Sequence, residues 1–266
     1  MSSKRFLTPL AILVAPALLA TAASAQTVED VVRRYLDARG GLARLRSVQS
    51  LRLTGTLELP GIPAAPFTLE LKRPNRMRTE FTIEGRQGVR AFDGQVAWSQ
   101  PPVPGEPPRQ MGPEDAAEAK AQADVDLSPL VDASAKGFTV ELMGRDRLPG
   151  GETFRLVVRG GDTSPRTLQL DTRSHLVVLT EERRTVEGRE VDFVTEVGDY
   201  RPEAGLVFPH RIELGPKGSA ERQRLVIRSV DVNPPLDDAR FSLPGRSSVP
   251  APHEAAPKRR PPAVLP

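Results

Sequence analysis

The stretch "LRLTGTLEL", residues 51–59, decides the fold because its side chains alternate between apolar and polar. One face carries four leucines, and the other carries Arg52, Thr54, Thr56 and Glu58. A period of two is typical of a β-strand that buries one face and leaves the other in water. The same period recurs in "FTLEL" (67–71), "MRTEFTI" (77–83), "RTLQLD" (166–171), "LVVLTEERR" (176–184) and "RQRLVIRSVDV" (222–232).

These segments predict one antiparallel meander of about eleven strands, because most are separated by only one or two turns. Two helices interrupt the pattern. Thr27 can cap the first helix, whose apolar residues share one face, and "GPEDAAEAKAQADVDLSPLV" (112–131) forms the second. Since the strands keep a uniform apolar face, we expect a mostly β (α+β) fold. The expected architecture is a strongly curved, unclosed half-barrel with helices packed over its concave apolar face.

The segment "VRAFDGQVAW", residues 89–98, predicts a hairpin turning at Asp93-Gly94, because both positions of a tight hairpin turn favour positive φ. This register pairs Val89 with Trp98 and Ala91 with Val96. We expect their shared face to be the concave one. The candidate residues lining an apolar ligand cavity are then Leu69, Leu71, Phe81, Val89, Val96, Trp98 and Phe138.

The two ends of the chain differ from its middle. Lys4 and Arg5 precede an apolar run that ends in Ala23-Ser24-Ala25, which predicts a cleaved secretory signal peptide at 1–25 and a mature start at Gln26. From Pro244 onward seven of 23 residues are proline, so we expect 245–266 to form a disordered, basic tail. One domain, 26–244, remains between them, and its expected location is the periplasm.

Composition excludes several classes of protein. The chain has no cysteine, so it has no disulfide, no thiol nucleophile and no attachment site for a lipoprotein anchor. The net charge is +3. Subtracting the +2 of the leader and the +3 of the tail leaves a body near −2, which gives no basic face for nucleic acid.

A search for catalytic and metal-binding motifs is negative. "HEAAP" at His253 lacks the second histidine of a zinc-protease helix, and His175 and His210 stand apart from each other in the sequence. No nucleophile elbow, phosphate loop or dinucleotide fingerprint is present. We therefore expect no enzyme activity, no cofactor and no metal site, and we expect His210 to be a hydrogen-bonded or surface imidazole.

Several segments together resemble one known family. "ARGGLARLRSVQSLRLTGTLEL", "KRPNRMRTEFTIEG", "AFDGQVAW", "GDYRPEAGLVFPHRIEL" and "VDVNPPLDDARFSLP" resemble, in order and spacing, bacterial outer-membrane lipoprotein-sorting proteins related to the lipoprotein localisation factors A and B. The resemblance implies a half-barrel with helices as a lid over an acyl-binding cavity. The family also implies a lid-closing arginine, which the sequence does not assign to one position.

The leading functional hypothesis is an exported, monomeric carrier that holds acyl chains of a lipoprotein or lipid. Such a carrier would exchange its cargo with a membrane-protein donor and acceptor. The alternatives are an envelope-stress sensor with the same half-barrel, a hydrolase, and a structural module whose apolar face is all core. The sequence does not decide how much of that face stays open.

Overall fold

The computed structural model describes residues 26–160, 164–186 and 188–245. The predicted signal peptide, and the predicted tail from residue 246 onward with His253, lie outside these residues. Within the described ranges, no helix is long and apolar enough to cross a membrane.

In the described residues three α-helices accompany the sheet: α1 (Val28–Ala38), α2 (Leu42–Ser47) and α3 (Pro113–Gln122). The helix α1 begins at the predicted cap, where the Thr27 side-chain oxygen accepts a hydrogen bond from the Asp30 N–H at 3.2 Å. In α3 a proline opens the first turn and two acidic residues follow it, which suits the positive end of the helix dipole. The first predicted helix is confirmed. The second is confirmed only over Pro113–Gln122, because residues 123–131 form turns instead of continuing the helix.

One antiparallel sheet contains thirteen strands in the order β6-β5-β4-β3-β2-β1-β13-β12-β11-β10-β9-β8-β7. The strands are β1 (Ser50–Leu59), β2 (Ile62–Lys72), β3 (Arg76–Ile83), β4 (Arg86–Phe92), β5 (Ala97–Gln100), β6 (Arg109–Gln110), β7 (Phe138–Leu148), β8 (Gly151–Gly160), β9 (Arg166–Asp171), β10 (Val177–Val186), β11 (Arg189–Glu203), β12 (Leu206–Pro216) and β13 (Gln223–Val232). The count exceeds the predicted eleven partly because β6 forms inside the proline-rich stretch. An edge position tolerates such a strand.

The strand order explains why a helix crosses the sheet. The first and last strands pair at its centre, whereas β6 and β7, which follow each other along the chain, lie at opposite edges. Residues 111–137 must therefore pass from one edge to the other, and α3 lies on this passage against β3, β4 and β5. The sheet is not closed into a barrel, as predicted.

Apolar side chains join the three helices to one face of the sheet in two clusters. In the first cluster Leu45 of α2 and Ala119 of α3 pack with strand residues such as Leu53 and Leu71. In the second cluster Val31 and Tyr35 of α1 pack on β7, β8 and β9. This helix-covered face is the concave face, so the predicted layering of helices over the sheet is confirmed.

The predicted turn of the 89–98 hairpin is wrong. Phe92 pairs with Ala97, and Ala91 pairs with Trp98, so the loop spans four residues, 93–96. The Asp93 carboxylate accepts hydrogen bonds from the N–H groups of the second and third residues after it, at 2.8 and 2.7 Å. This side-chain bonding favours the longer loop over a two-residue turn. Val96 lies in the loop, where its carbonyl accepts a hydrogen bond from the Asp93 N–H at 3.2 Å, and it does not pair with Ala91 as predicted.

The predicted position of Val89 and Trp98 on the concave face is also wrong. Val89, Ala91 and Trp98 form a third, separate cluster with Leu243 on the convex face. Residues 233–245, here called the C-terminal strap, cover this cluster. The Trp98 indole N–H donates a 2.8 Å hydrogen bond to the backbone carbonyl of Phe241.

Charged side chains fasten the strap to the convex face. Glu70, whose side chain is 2% exposed, accepts hydrogen bonds from Arg52 at 3.0 Å and from Arg240 of the strap at 2.8 Å. Lys72 donates to the Leu236 carbonyl and to Asp238, both at 2.6 Å. A buried carboxylate with two guanidinium partners avoids the cost of an unpaired buried charge.

Candidate functional site

Half-buried apolar side chains cross the middle of the concave face and are here called the concave strip. Its members are Leu59, Leu69, Phe81, Ile83, Phe193, Val197, Ile212, Leu214 and Leu225. The pairs Leu57–Leu225, Leu225–Ile212 and Ile212–Val197 place one row across four adjacent strands. The strip therefore presents continuous apolar surface that the helices leave partly open to solvent. Such a surface is typical of a ligand or partner site.

A buried ionic cluster fixes the segment that follows α3. Lys136 donates to Asp124 and Asp126, both at 2.7 Å, and Arg73 donates to Asp126 at 2.6 Å. The Asp126 side chain is 1% exposed. Burial raises the pKa of Asp124, and Lys136 opposes this rise. The cluster ties the crossing segment to the end of β2, so α3 is held over the sheet from one side.

Glu118 of α3 reaches both walls of the half-barrel. Its Oε1 accepts a hydrogen bond from Arg184 of β10 at 2.9 Å, and its Oε2 lies 3.4 Å from Arg90 of β4. Gln122 also donates to Oε1, at 2.9 Å. The strands β4 and β10 are seven steps apart in the sheet order. The sheet must therefore curl strongly around α3 for one carboxylate to contact both arginines.

Two more charged residues, Glu182 and Arg166, lie beside the contacts that Glu118 makes. Glu182 contacts Arg184 within β10, and it lies 3.0 Å from Arg166 of β9. The Arg166 Nε is buried, and its partner is this ion pair with Glu182 and not a hydrogen bond. The Arg184 guanidinium lies 4.9 Å from the ring centre of Phe193, a member of the concave strip. Three arginines and two glutamates thus adjoin the strip, with a net charge of +1.

Four of the seven predicted cavity residues lie on the concave face. Leu69 and Phe81 belong to the concave strip, and Leu71 lies deeper in the same cluster, fully buried. Phe138 packs in the second concave cluster against α1. Contact of these four with a ligand stays a prediction.

The two described histidines, His175 and His210, contact other residues of the domain. His210 is 1% exposed, and its Nδ1 lies 2.9 Å from the Ile227 carbonyl, whereas its Nε2 lies 3.6 Å from Glu203. His175 stacks on Phe154, and burial together with Arg34 lowers its pKa. Across residues 26–160, 164–186 and 188–245, no three His, Asp or Glu side chains come together as metal ligands.

Sequence reasoning missed the part of the site contributed by the second half of the chain. Ile212, Leu214 and Leu225 alternate with polar residues, so their face was predictable, but their partial exposure was not. The sequence did not single out Arg90 or Arg184, because each shares its strand with another arginine, Arg86 and Arg183 respectively.

Comparison with known proteins shows which solved structures have a similar fold. No protein-family model and no curated protein matches the chain. Among solved structures, a LolA superfamily protein from Nitrosomonas europaea has a TM-score of 0.56 at 14% identity and covers 82% of this chain and 98% of its own. An outer membrane lipoprotein-sorting protein domain from Vibrio parahaemolyticus has a TM-score of 0.52 at 10% identity, covering 80% and 94%. A DUF1329 family protein from Desulfovibrio piger has a TM-score of 0.55 at 11% identity, covering 82% and 98%. The chain therefore shares the fold of these three structures, which is the fold that the resemblance implied.

Proposed function

We propose that this protein is an exported, non-enzymatic carrier that holds acyl chains against the concave strip, beneath α3. The observation that carries the proposal is the strip itself: nine apolar side chains on the helix-covered face that are half-buried instead of fully packed. The fold shared with lipoprotein-sorting proteins supports an acyl ligand over other apolar ligands. The cargo is a lipid or lipoprotein, passed between membrane-bound donor and acceptor in the periplasm.

The energetics favour such a site. Each methylene group moved from water to an apolar surface contributes about 0.8 kcal/mol. A chain of about ten methylenes therefore gains about 8 kcal/mol of transfer free energy before the costs of association are subtracted. A soluble carrier needs this gain to remove an acyl chain from a membrane, and a concave strip between two walls shields more of the chain than a flat surface does.

Two neighbouring residues of β13 give a matched test. Leu225 lies in the concave strip, whereas Val226, also half-buried, faces the convex side and pairs with Thr56 and Arg211. A carboxylate placed at position 225 would contact the acyl chain and lose hydration. We expect Leu225→Asp to weaken binding of a fluorescent monoacylglycerol at least about tenfold, and Val226→Asp to leave it within about twofold.

The measurement is a fluorescence titration, with circular dichroism to check that both variants are folded. The monoacylglycerol is uncharged, so the result does not depend on the arginines. Equal affinity of Leu225→Asp and the wild type would place the acyl chain elsewhere and contradict the proposed site.

A further inference from the structure

We propose that Arg90 and Arg184 form a binding site for the anionic headgroup of the acyl ligand, and that Glu118 occupies this site when no ligand is bound. This inference rests on the proposed function and deepens it by naming the ligand class: single-chain or multi-chain lipids with a phosphate or carboxylate near the acyl chains. The shared chemistry is an oxyanion between two guanidinium groups.

The contacts of Glu118 define the site. One carboxylate oxygen of Glu118 accepts a hydrogen bond from Arg184 at 2.9 Å, and the other accepts one from Arg90 at 3.4 Å. Guanidinium groups bind carboxylate and phosphate oxygens through the same N–H geometry. A ligand phosphate can therefore make the hydrogen bonds that Glu118 makes.

The charges favour this exchange. With Glu118 in place, the three arginines and two glutamates of the cluster carry a net charge of +1, and without it they carry +2. The side chains are partly buried, since Arg90, Glu118 and Arg184 are 34%, 33% and 23% exposed. Partial burial strengthens the attraction of an incoming anion.

The site adjoins the acyl surface at two points. The Arg184 guanidinium stacks over Phe193 of the concave strip at 4.9 Å. On the other wall, Arg90 pairs with Thr79, and Thr79 pairs with Leu69 of the strip. A ligand whose chain lies on the strip therefore places its headgroup beneath α3, where Glu118 now sits.

The experiment compares two probes with the same chain, oleoyl lysophosphatidic acid and uncharged monoolein, by isothermal titration calorimetry on the mature protein. We expect the anionic probe to bind at least about tenfold more tightly, the effect of one charge-assisted pair. The ratio that is followed is the dissociation constant of monoolein divided by that of oleoyl lysophosphatidic acid. Arg184→Gln should reduce this ratio to near one. The control Arg183→Gln removes a neighbouring arginine that is 54% exposed and pairs with Asp192, and it should preserve the ratio.

Glu118→Gln gives an independent test that does not depend on the folding of Arg184→Gln. It removes the competing charge and keeps the size, so the ratio should rise further. A ratio near one in the wild type, or a ratio unchanged in Glu118→Gln, would overturn the headgroup site and leave the acyl site standing. Binding of neither probe would overturn both. Glycerol 3-phosphate is the third arm: if it binds as tightly as the lipid, the site serves free phosphate and the headgroup assignment is wrong.

Discussion

Replacement of Trp98 by alanine tests whether the C-terminal strap is a structural part of the domain. The indole is 1% exposed, and its N–H donates to the Phe241 carbonyl at 2.8 Å. The Arg78 guanidinium covers the ring at 5.5 Å from its centre. Both contacts lie on the convex face, away from the concave strip.

The expected loss of stability is the sum of two physical effects. Truncating a buried aromatic side chain to alanine costs about 3–5 kcal/mol through lost transfer free energy and the cavity left behind. The broken hydrogen bond leaves the Phe241 carbonyl without its partner and adds about 1 kcal/mol. Trp98→Phe retains most of the ring and loses the N–H, so its expected cost is about 1–2 kcal/mol.

Urea unfolding followed by circular dichroism measures both variants, since Trp98 is the single tryptophan of the chain and its fluorescence is lost on substitution. The wild-type protein gives the complementary result. Its tryptophan emission should stay constant when monoolein binds, because the indole lies on the opposite face from the strip. A loss below about 1 kcal/mol in Trp98→Ala would refute the packing of the strap on the indole. A ligand-dependent shift of the wild-type emission would refute the convex placement.

Two further predictions concern charges. Asp126→Asn breaks the buried contacts with Arg73 and Lys136 and should lower the free energy of unfolding by about 3–5 kcal/mol, measured by urea titration. The control Asp132→Asn breaks an exposed pair with Arg46 and should lower it by less than about 1 kcal/mol. Equal losses in the two variants would contradict the role of burial. His175 has a lowered pKa in the folded protein, so the unfolded chain binds a proton first as the pH falls below about 6.5, and stability is lost from there down to the folded pKa. His175→Asn, which tolerates the positive φ at this position, should remove this part of the loss between pH 7.5 and pH 5, and an unchanged slope would show that other groups cause it.

The layering of the fold was predictable because it follows from local periodicity. Strands with alternating leucines, the capped helix α1 and the proline-initiated helix α3 are each fixed by neighbouring residues, and they begin where the sequence predicted them. The predicted end of α3 was wrong, because the helix stops at Gln122 and not at residue 131. The turn at Asp93 was not predictable from the sequence. An Asp-Gly pair favours a two-residue turn, but the Asp93 carboxylate can also close a longer loop through its own hydrogen bonds. Two chemically reasonable loops compete there, and the sequence does not rank them.

The face of Trp98 was nevertheless encoded in the preceding turn. Glu84 and Gly85 both have positive φ, and the ladder beside them pairs Ile83 with Arg86. Counting outward from this two-residue turn places Val89 opposite Glu80, on the polar face of β3, and not beside its apolar residues. The apolar side of the 89–98 hairpin therefore had to be covered by a separate segment, and the strap is that segment.

The arginine pair of the candidate headgroup site lay beyond any local argument. Arg90 and Arg184 lie on strands seven steps apart, a distance of about 34 Å along a flat sheet at the usual strand spacing. No side chains span that distance, so a single carboxylate contacts both only because the sheet curls around α3. Curvature is a property of the whole sheet, set by the helices that pack inside it and by the passage of the chain from one edge to the other. The same passage that makes the half-barrel thus brings Glu118 between the two arginines. In the proposed headgroup site, the connection that completes the fold therefore also carries the group that competes with the ligand.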